Sequence, residues 1–355
     1  MFYNCHIHIF RDIDVPRKFL PLGLVRILST KRGFRIISRI INNLNPFSDN
    51  DALDRYIRFF KITKKKSQEE IFNYCKLFYP SSTKFIVLPM DMAYMNAGKV
   101  PREFKDQLIE LSDLSKKDPQ IIPFMHTDPR REGVLDLLKE FVEEHDFKGI
   151  KIYPTLGYFP YDERLYPIYE YCQEKGLPVI AHCSPYNPVR YRGTKKELKE
   201  MLSSSILPFD INNKSPRELC SFFAYPKNYE KVLNDFPNLK ICTAHFGSSD
   251  QWDEYIYNPL ESMSNNWFVI IKDMLEKYSN FYSDISMTLY RPDFFPLLKI
   301  LLEDPMINKK ILFGSDFYMT EREDAERQFG IEIRAYLGEE KFKLISYDNI
   351  IDFLG

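Results

Sequence analysis

Short apolar runs recur along the chain, separated by segments with helical spacing. The runs occupy residues 1–8, 84–90, 121–126, 149–153, 178–182, 239–245, 281–286 and 311–315. Each is bounded by Pro, Gly, Asn or Asp, as strands are. Phe85-Ile86-Val87-Leu88 and Ile311-Leu312-Phe313 are apolar throughout, which suits strands covered on both faces of a parallel sheet. Residues 134–144, 166–175, 229–235 and 294–303 place apolar side chains three and four apart, the period of a helix with one buried face. Eight strands alternating with helices predict an α/β fold, a (β/α)8 TIM barrel. An open doubly wound sheet is the alternative. It normally carries a Gly-rich phosphate turn, and this chain has 13 Gly and no G-x-G-x-x-G.

Two stretches exceed an ordinary connection. Residues 11–82 separate the first two strands and are expected to form a helical insertion. Within them, residues 20–44 are apolar with Arg26, Lys31, Arg32, Arg35 and Arg39 interspersed. A helical subdomain over the barrel mouth is expected there, in preference to a basic amphipathic helix on a membrane. Residues 184–238 carry Pro185, Pro188, Pro208 and Pro216 and predict a loop-rich lid after the fifth strand. Neither insertion has a flexible linker, so residues 1–355 are expected to form a single barrel domain.

Composition narrows the function. Hydrophobic residues make up 44% and charged residues 28% of the 355, an ordinary globular balance. Lys+Arg is 49 against 50 for Asp+Glu, a net charge of −1, so no overall field attracts nucleic acid or an anionic membrane. No run of 18 apolar residues exists to span a bilayer. The start, Met1-Phe2-Tyr3-Asn4-Cys5-His6, lacks the parts of a signal peptide. The six cysteines (5, 75, 172, 183, 220 and 242) form no Cys-x-x-Cys pair, which predicts reduced thiols in a cytoplasm. The expected partner is a small-molecule substrate. A homodimer is left open; nucleic acid and membrane are not expected.

Six histidines occur in all, and four of them, His8, His126, His182 and His245, end predicted strands. That is where a barrel presents its active site. In a strand, residues i and i+2 share a face. With Cys5 and Ile7 turned outward to the helices, Asn4, His6 and His8 would point into the barrel, and His6-Ile7-His8 would supply two metal ligands. Alone the pair is a weak signal. The fifth and sixth strands also run apolar into His182 and His245, and the eighth into Asp316. Imidazoles and a carboxylate at one mouth form an N/O site suited to Zn²⁺, Mn²⁺ or Fe²⁺.

This pattern resembles the amidohydrolase superfamily, and most of all its amidohydrolase 2 branch, which includes aminocarboxymuconate-semialdehyde and resorcylate decarboxylases as well as hydrolases. The flanking strings Gly149-Ile150-Lys151-Ile152-Tyr153-Pro154, Val179-Ile180-Ala181-His182-Cys183, His245-Phe246-Gly247 and Phe313-Gly314-Ser315-Asp316-Phe317-Tyr318 fit that branch. Asn4 departs from it, since many relatives carry Asp there. The resemblance implies that His6, His8, His182 and Asp316 hold the metal. It implies that His245 sits just beyond as a catalytic group, and that Asp316 also shuttles a proton to the leaving group. One Zn²⁺ is expected, with Mn²⁺ or Fe²⁺ as alternatives. Lys151 is ambiguous. It would bridge a second metal as a carboxylated lysine, with His182 and His245 as ligands, or else bind a substrate carboxylate or pair with Asp316.

Further strand-end or loop residues that would meet a substrate are Asp91, His126, Asp284 and Arg291. Trp252 and Tyr158 are candidates to line a pocket, and His145 reads as a solvated surface residue. The expected activity is hydrolysis of a small organic substrate, at an amide, lactone or related bond, by metal-activated water. The alternatives are a non-hydrolytic decarboxylase on the same scaffold and a catalytically inactive barrel that acts as a binding protein. Released CO₂, incorporated solvent oxygen, or absence of bound metal separates the three.

Overall fold

The computed structural model describes residues 2–19, 62–185, 187–258, 264–317 and 323–355. The expectation for residues 20–44 therefore lies outside the described residues. Strands β1 (Tyr3–Ile7), β2 (Lys84–Val87), β3 (Ile121–Pro123), β4 (Met125–His126), β5 (Ile150–Ile152), β6 (Val179–Ala181), β7 (Ile241–Thr243), β8 (Phe281–Asp284) and β9 (Ile311–Leu312) follow in chain order. Every pair is parallel and joins neighbours in sequence.

These nine segments make eight barrel positions. β3 and β4 are one strand interrupted at Phe124, whose N–H donates to the Val87 carbonyl at 3.1 Å. The ring closes between the last strand and the first. Cys5 N–H donates to Phe313 O at 2.9 Å, and Asp316 N–H to His6 O at 2.8 Å. The fold is the (β/α)8 barrel expected from the alternation. The strands are shorter than the apolar runs, because the residues ending several runs curve out of the ladder at the mouth.

The helices are α1 (Gln68–Lys76), α2 (Phe104–Lys117), α3 (Val134–His145), α4 (Tyr166–Lys175), α5 (Lys195–Leu202), α6 (Pro216–Ser221), α7 (Asn228–Asp235), α8 (Ser249–Tyr257), α9 (Trp267–Lys277), α10 (Phe295–Leu301), α11 (Glu323–Lys343) and α12 (Asn349–Leu354). The segment 184–238 is more helical than its prolines suggested. Thr194 and Ser215 cap α5 and α6 in reciprocal boxes with Glu197 and Glu218. Pro216 opens α6 where its missing N–H has no partner to lose. Among the described residues, no helix is long and apolar enough to cross a membrane.

Alternate strand residues face opposite ways. Ile86, Leu88, Phe124, Ile180, Cys242, Tyr282 and Leu312 pack with one another inside the barrel, and Ile350 and Phe353 of α12 join them. Phe85, Val87, Met125, Ile150, Ile152, Val179, Ala181, Ile241, Phe281 and Ile311 pack outward against the helices. β1 breaks the alternation, and the expected facing of Cys5 needs correction. Cys5 joins the inner cluster while Ile7 joins the outer one, because the register against β2 shifts between Asn4 and Ile7. All six cysteines are unpaired and buried.

Candidate metal centre

The backbone bends sharply where the barrel opens. His245 (φ 71°) and Phe246 (φ 38°) follow β7, Met287 (φ 59°) follows β8, and Asp316 (φ 57°) follows β9. Left-handed backbone is uncommon for such residues and needs surrounding contacts to hold it. Gly314 permits a close approach: a Cβ there would lie 2.8 Å from His6 Cβ and 3.2 Å from Cys5 Sγ.

Two overlapping trios result. The donor atoms of His6, His8 and Asp316 lie within 4.8 Å of one another, as do those of His6, His245 and Asp284. All five side chains are buried. His182 stands outside both trios. Its ring is 5.1 Å from that of His245 and stacks on Tyr153 at 4.1 Å, with 10° between the planes. Tyr229 Oη donates to the His182 carbonyl at 2.8 Å and so braces the end of β6.

The partner of each Nδ1 decides the imidazole tautomer. His8 Nδ1 is 2.7 Å from the Leu88 carbonyl, which only accepts, so the proton is on Nδ1. His6 Nδ1 donates to Asp284 Oδ2 at 2.9 Å. His245 Nδ1 donates to the Ser286 carbonyl at 3.1 Å. Each ring is left with its lone pair on Nε2. Burial, reinforced by His6, lowers His245 to about 3 and keeps it neutral. Burial works to raise the Asp284 carboxyl, but His6 and His245 outweigh it and hold the group below the usual carboxylate range.

His8 Nε2 and Asp316 Oδ1 are 3.6 Å apart, too far for a hydrogen bond. Two ligands on one tetrahedral ion, each about 2.0–2.1 Å from it, stand roughly 3.3 Å apart. Asp316 Oδ1 is buried without a hydrogen-bond partner among the described residues. The donor set therefore fits a divalent cation. Lys151 is fully buried on β5, and its Nζ likewise lacks a hydrogen-bond partner among the described residues. Burial lowers it to about 8, opposed by Asp284 and Asp316.

The other sequence candidates have different surroundings. Asp284 is wholly buried, and it accepts from the His6 imidazole through Oδ2 and from the His245 backbone N–H through Oδ1. Arg291 is held by Asp253 and Asp293 in ion pairs. Asp91 pairs with Arg131, and its backbone N–H donates to His126 Nδ1 at 2.7 Å. Trp252 is core, its Nε1 donating to Phe246 O at 3.0 Å. Tyr158 is buried, and its hydroxyl accepts from Tyr153 N–H at 2.7 Å. His145 is half-buried, 2.7 Å from Ser112 Oγ and stacked on Phe141. Asn4 ties the first barrel position to the eighth. Its Oδ1 accepts from His6 N–H and Ser315 N–H, and its Nδ2 donates to Ser315 Oγ and Tyr79 Oη.

Sequence reasoning missed Ser286, whose hydroxyl touches Asp284, His6 and His245. Its one signal was the i, i+2 spacing from Asp284, the same spacing that singled out His6 and His8.

Comparison with known proteins places the chain in a family. Residues 96–355 match a family model described as amidohydrolase. The match holds His182, His245 and Asp316 and begins after His6 and His8. No curated protein matches the chain. Among solved structures, 5-carboxyvanillate decarboxylase of Novosphingobium aromaticivorans, complexed with manganese and 4-hydroxy-3-methoxy-5-nitrobenzoic acid, is 15% identical. It covers 100% of this chain and 96% of its own, with a TM-score of 0.59. A dihydroxybenzoic acid decarboxylase of Polaromonas with manganese and 2-nitroresorcinol is 14% identical over 99% and 96% of the two chains, with a TM-score of 0.55. The 4-oxalomesaconate hydratase of Rhodopseudomonas palustris is 17% identical over 100% and 95%, with a TM-score of 0.53. At these identities the likeness concerns the fold. The family match over the greater part of the chain identifies it as a member of the amidohydrolase 2 family of metal-dependent barrel enzymes.

Proposed function

We propose that this chain is a metal-dependent hydrolase of a small organic substrate, acting on an amide, lactone or related bond. His6, His8, His182 and Asp316 would hold one divalent ion. The observation that carries the reading is Asp316 Oδ1, buried without a hydrogen-bond partner among the described residues and 3.6 Å from His8 Nε2. An isolated buried carboxylate is costly enough to demand a cation or a proton. Zinc suits imidazole and carboxylate donors at near-tetrahedral spacing. Manganese is the rival, as the ion named with two of the similar structures.

When bound, such an ion supplies Lewis acidity and lowers the pKa of water it holds. The remaining steps belong to the chain's own residues. His245, with its Nδ1 proton committed to Ser286, offers Nε2 as an acceptor to water or substrate. Asp316 would take a proton from water and pass it to the leaving group. Lys151 offers a buried N–H cation to an acidic substrate group. One ion is favoured over two because Asp284, the carboxylate of the His6–His245–Asp284 trio, already accepts hydrogen bonds through both oxygens. Its Oδ2 accepts from His6, and its Oδ1 accepts from the N–H groups of His245 and Ser286.

Decarboxylation is the second reading, supported by the activities named for two of the similar structures. There Asp316 would hand on the proton that carbon receives. The test is turnover of lactones, amides and aromatic acids in H₂¹⁸O with the zinc- or manganese-loaded protein. Solvent ¹⁸O in the product supports hydrolysis. Released CO₂ with no solvent oxygen in the organic product overturns it in favour of the lyase. A folded protein that binds neither ion would return the chain to a binding role.

A further inference from the structure

The hydroxyl of Ser286 lies among three groups of the centre. It is 3.1 Å from His6 Nδ1 and 3.0 Å from His245 Nδ1, and it donates to Asp284 Oδ1. Ser286 and Asp284 are both fully buried, so no solvent competes for these bonds. A serine hydroxyl has one proton to give and two lone pairs to offer. Asp284 can only accept, so the proton goes there. Both imidazoles carry hydrogen on Nδ1, because Asp284 Oδ2 and the Ser286 carbonyl require it. The Ser286 oxygen is left to accept from both rings at once.

We propose that Ser286 is a positioning residue that couples His6 to His245, one shared hydroxyl orienting both rings so that His6 offers Nε2 to the proposed ion and His245 offers its own to water or substrate beside it. The assignment rests on the proposed roles of those two histidines. His6 belongs to β1 and His245 to the turn after β7. The Asp284–Ser286 pair at the end of β8 is what they have in common. Thr288 N–H donates to the Ser286 carbonyl at 2.6 Å, which pins the turn holding the hydroxyl. Loss of the hydroxyl leaves Asp284 on His6 and the carbonyl on His245, but removes the shared partner.

The test uses full-length protein labelled with ¹⁵N-histidine, as wild type, Ser286→Ala and Ser286→Thr. Long-range ¹H–¹⁵N spectra of the metal-free and zinc-loaded forms report which nitrogen carries each proton. Competition with a chelator reports zinc affinity. The wild type should show His6 and His245 as Nδ1–H tautomers even without metal. Ser286→Ala should bind zinc about 10–100-fold more weakly, the usual effect of losing a group behind a ligand, and the His6 and His245 nitrogen signals should shift and broaden as the rings lose their fixed orientation. Ser286→Thr, which keeps the hydroxyl, should restore both properties. A wild-type His245 protonated on Nε2 overturns the assignment, whether or not the variants fold. So does a Ser286→Ala protein with unchanged zinc affinity and spectrum. If the wild type binds no zinc, the functional reading fails, while the metal-free spectrum still decides the role of the hydroxyl.

Discussion

The histidines of this chain differ chemically through what each Nδ1 touches. His6 rests on a carboxylate, His8 on the Leu88 carbonyl and His245 on the Ser286 carbonyl. His126 is the reverse case. Its Nδ1 accepts from a backbone N–H, so its proton is on Nε2 and its part in the barrel mouth is different. Replacing both His6 and His8 with Ala should remove the bound metal and leave the fold, because barrel packing lies deeper. Full metal occupancy of the folded double variant, read by elemental analysis, would end the proposal. His245→Ala should keep its metal and lose activity by about 10²–10⁴-fold, the range for a positioned acid or base. A two-metal site predicts instead that His245→Ala and Lys151→Ala each lose part of the metal, so counting equivalents on the two variants decides between them. The identity and strand-end position of His6, His8, His182, His245 and Asp316 were legible in the sequence. The contacts of Asp284 with His6 and His245 were not, since a strand-end Asp reads alike whatever it meets.

Strands and turns deliver these groups, and the delivery depends on close contacts at the seam of the barrel. Asp316 N–H reaches the His6 carbonyl, and Gly314 leaves room for His6 beside it. Gly314→Ala should push β1 away from the eighth barrel position, with a cost of about 1–3 kcal/mol as for other overpacked sites. It should also weaken metal binding, because His6 is the group displaced. Urea unfolding together with zinc titration checks both effects, and wild-type values in each would remove this account of the seam. The apolar runs announced every barrel strand yet overstated their length. Apolarity continues to the mouth, whereas the hydrogen-bonded ladder ends before the chain turns. The capped helices α5 and α6 were hidden for the opposite reason: their apolar faces are short, and their prolines read as breaks.

At the scale of the whole molecule, α12 closes the barrel end opposite the mouth. Ile350 and Phe353 are fully buried against the inner cluster. Tyr282 meets the Phe353 ring at 5.1 Å and bonds to Asp352. Asn349 Nδ2 donates to the carbonyls of Asn308 and Ile311, both at 2.8 Å. Phe353→Ala should cost about 3–5 kcal/mol, as loss of a large buried ring does. The denaturant midpoint should fall while the folded fraction keeps the wild-type metal stoichiometry, and an unchanged midpoint would show that α12 is not part of the barrel's closure. The sequence by itself determined the alternation of strand and helix, and with it the barrel and the mouth where His182, His245 and Asp316 gather. Those features repeat along the chain with a short period, so local pattern carries them. Only the tertiary structure decided that Cys5 faces inward, that Arg291 is spent on Asp253, and that Asp284 and Ser286 stand behind two imidazoles. Each depends on side chains from distant strands meeting in space, and no local periodicity records which atoms will meet.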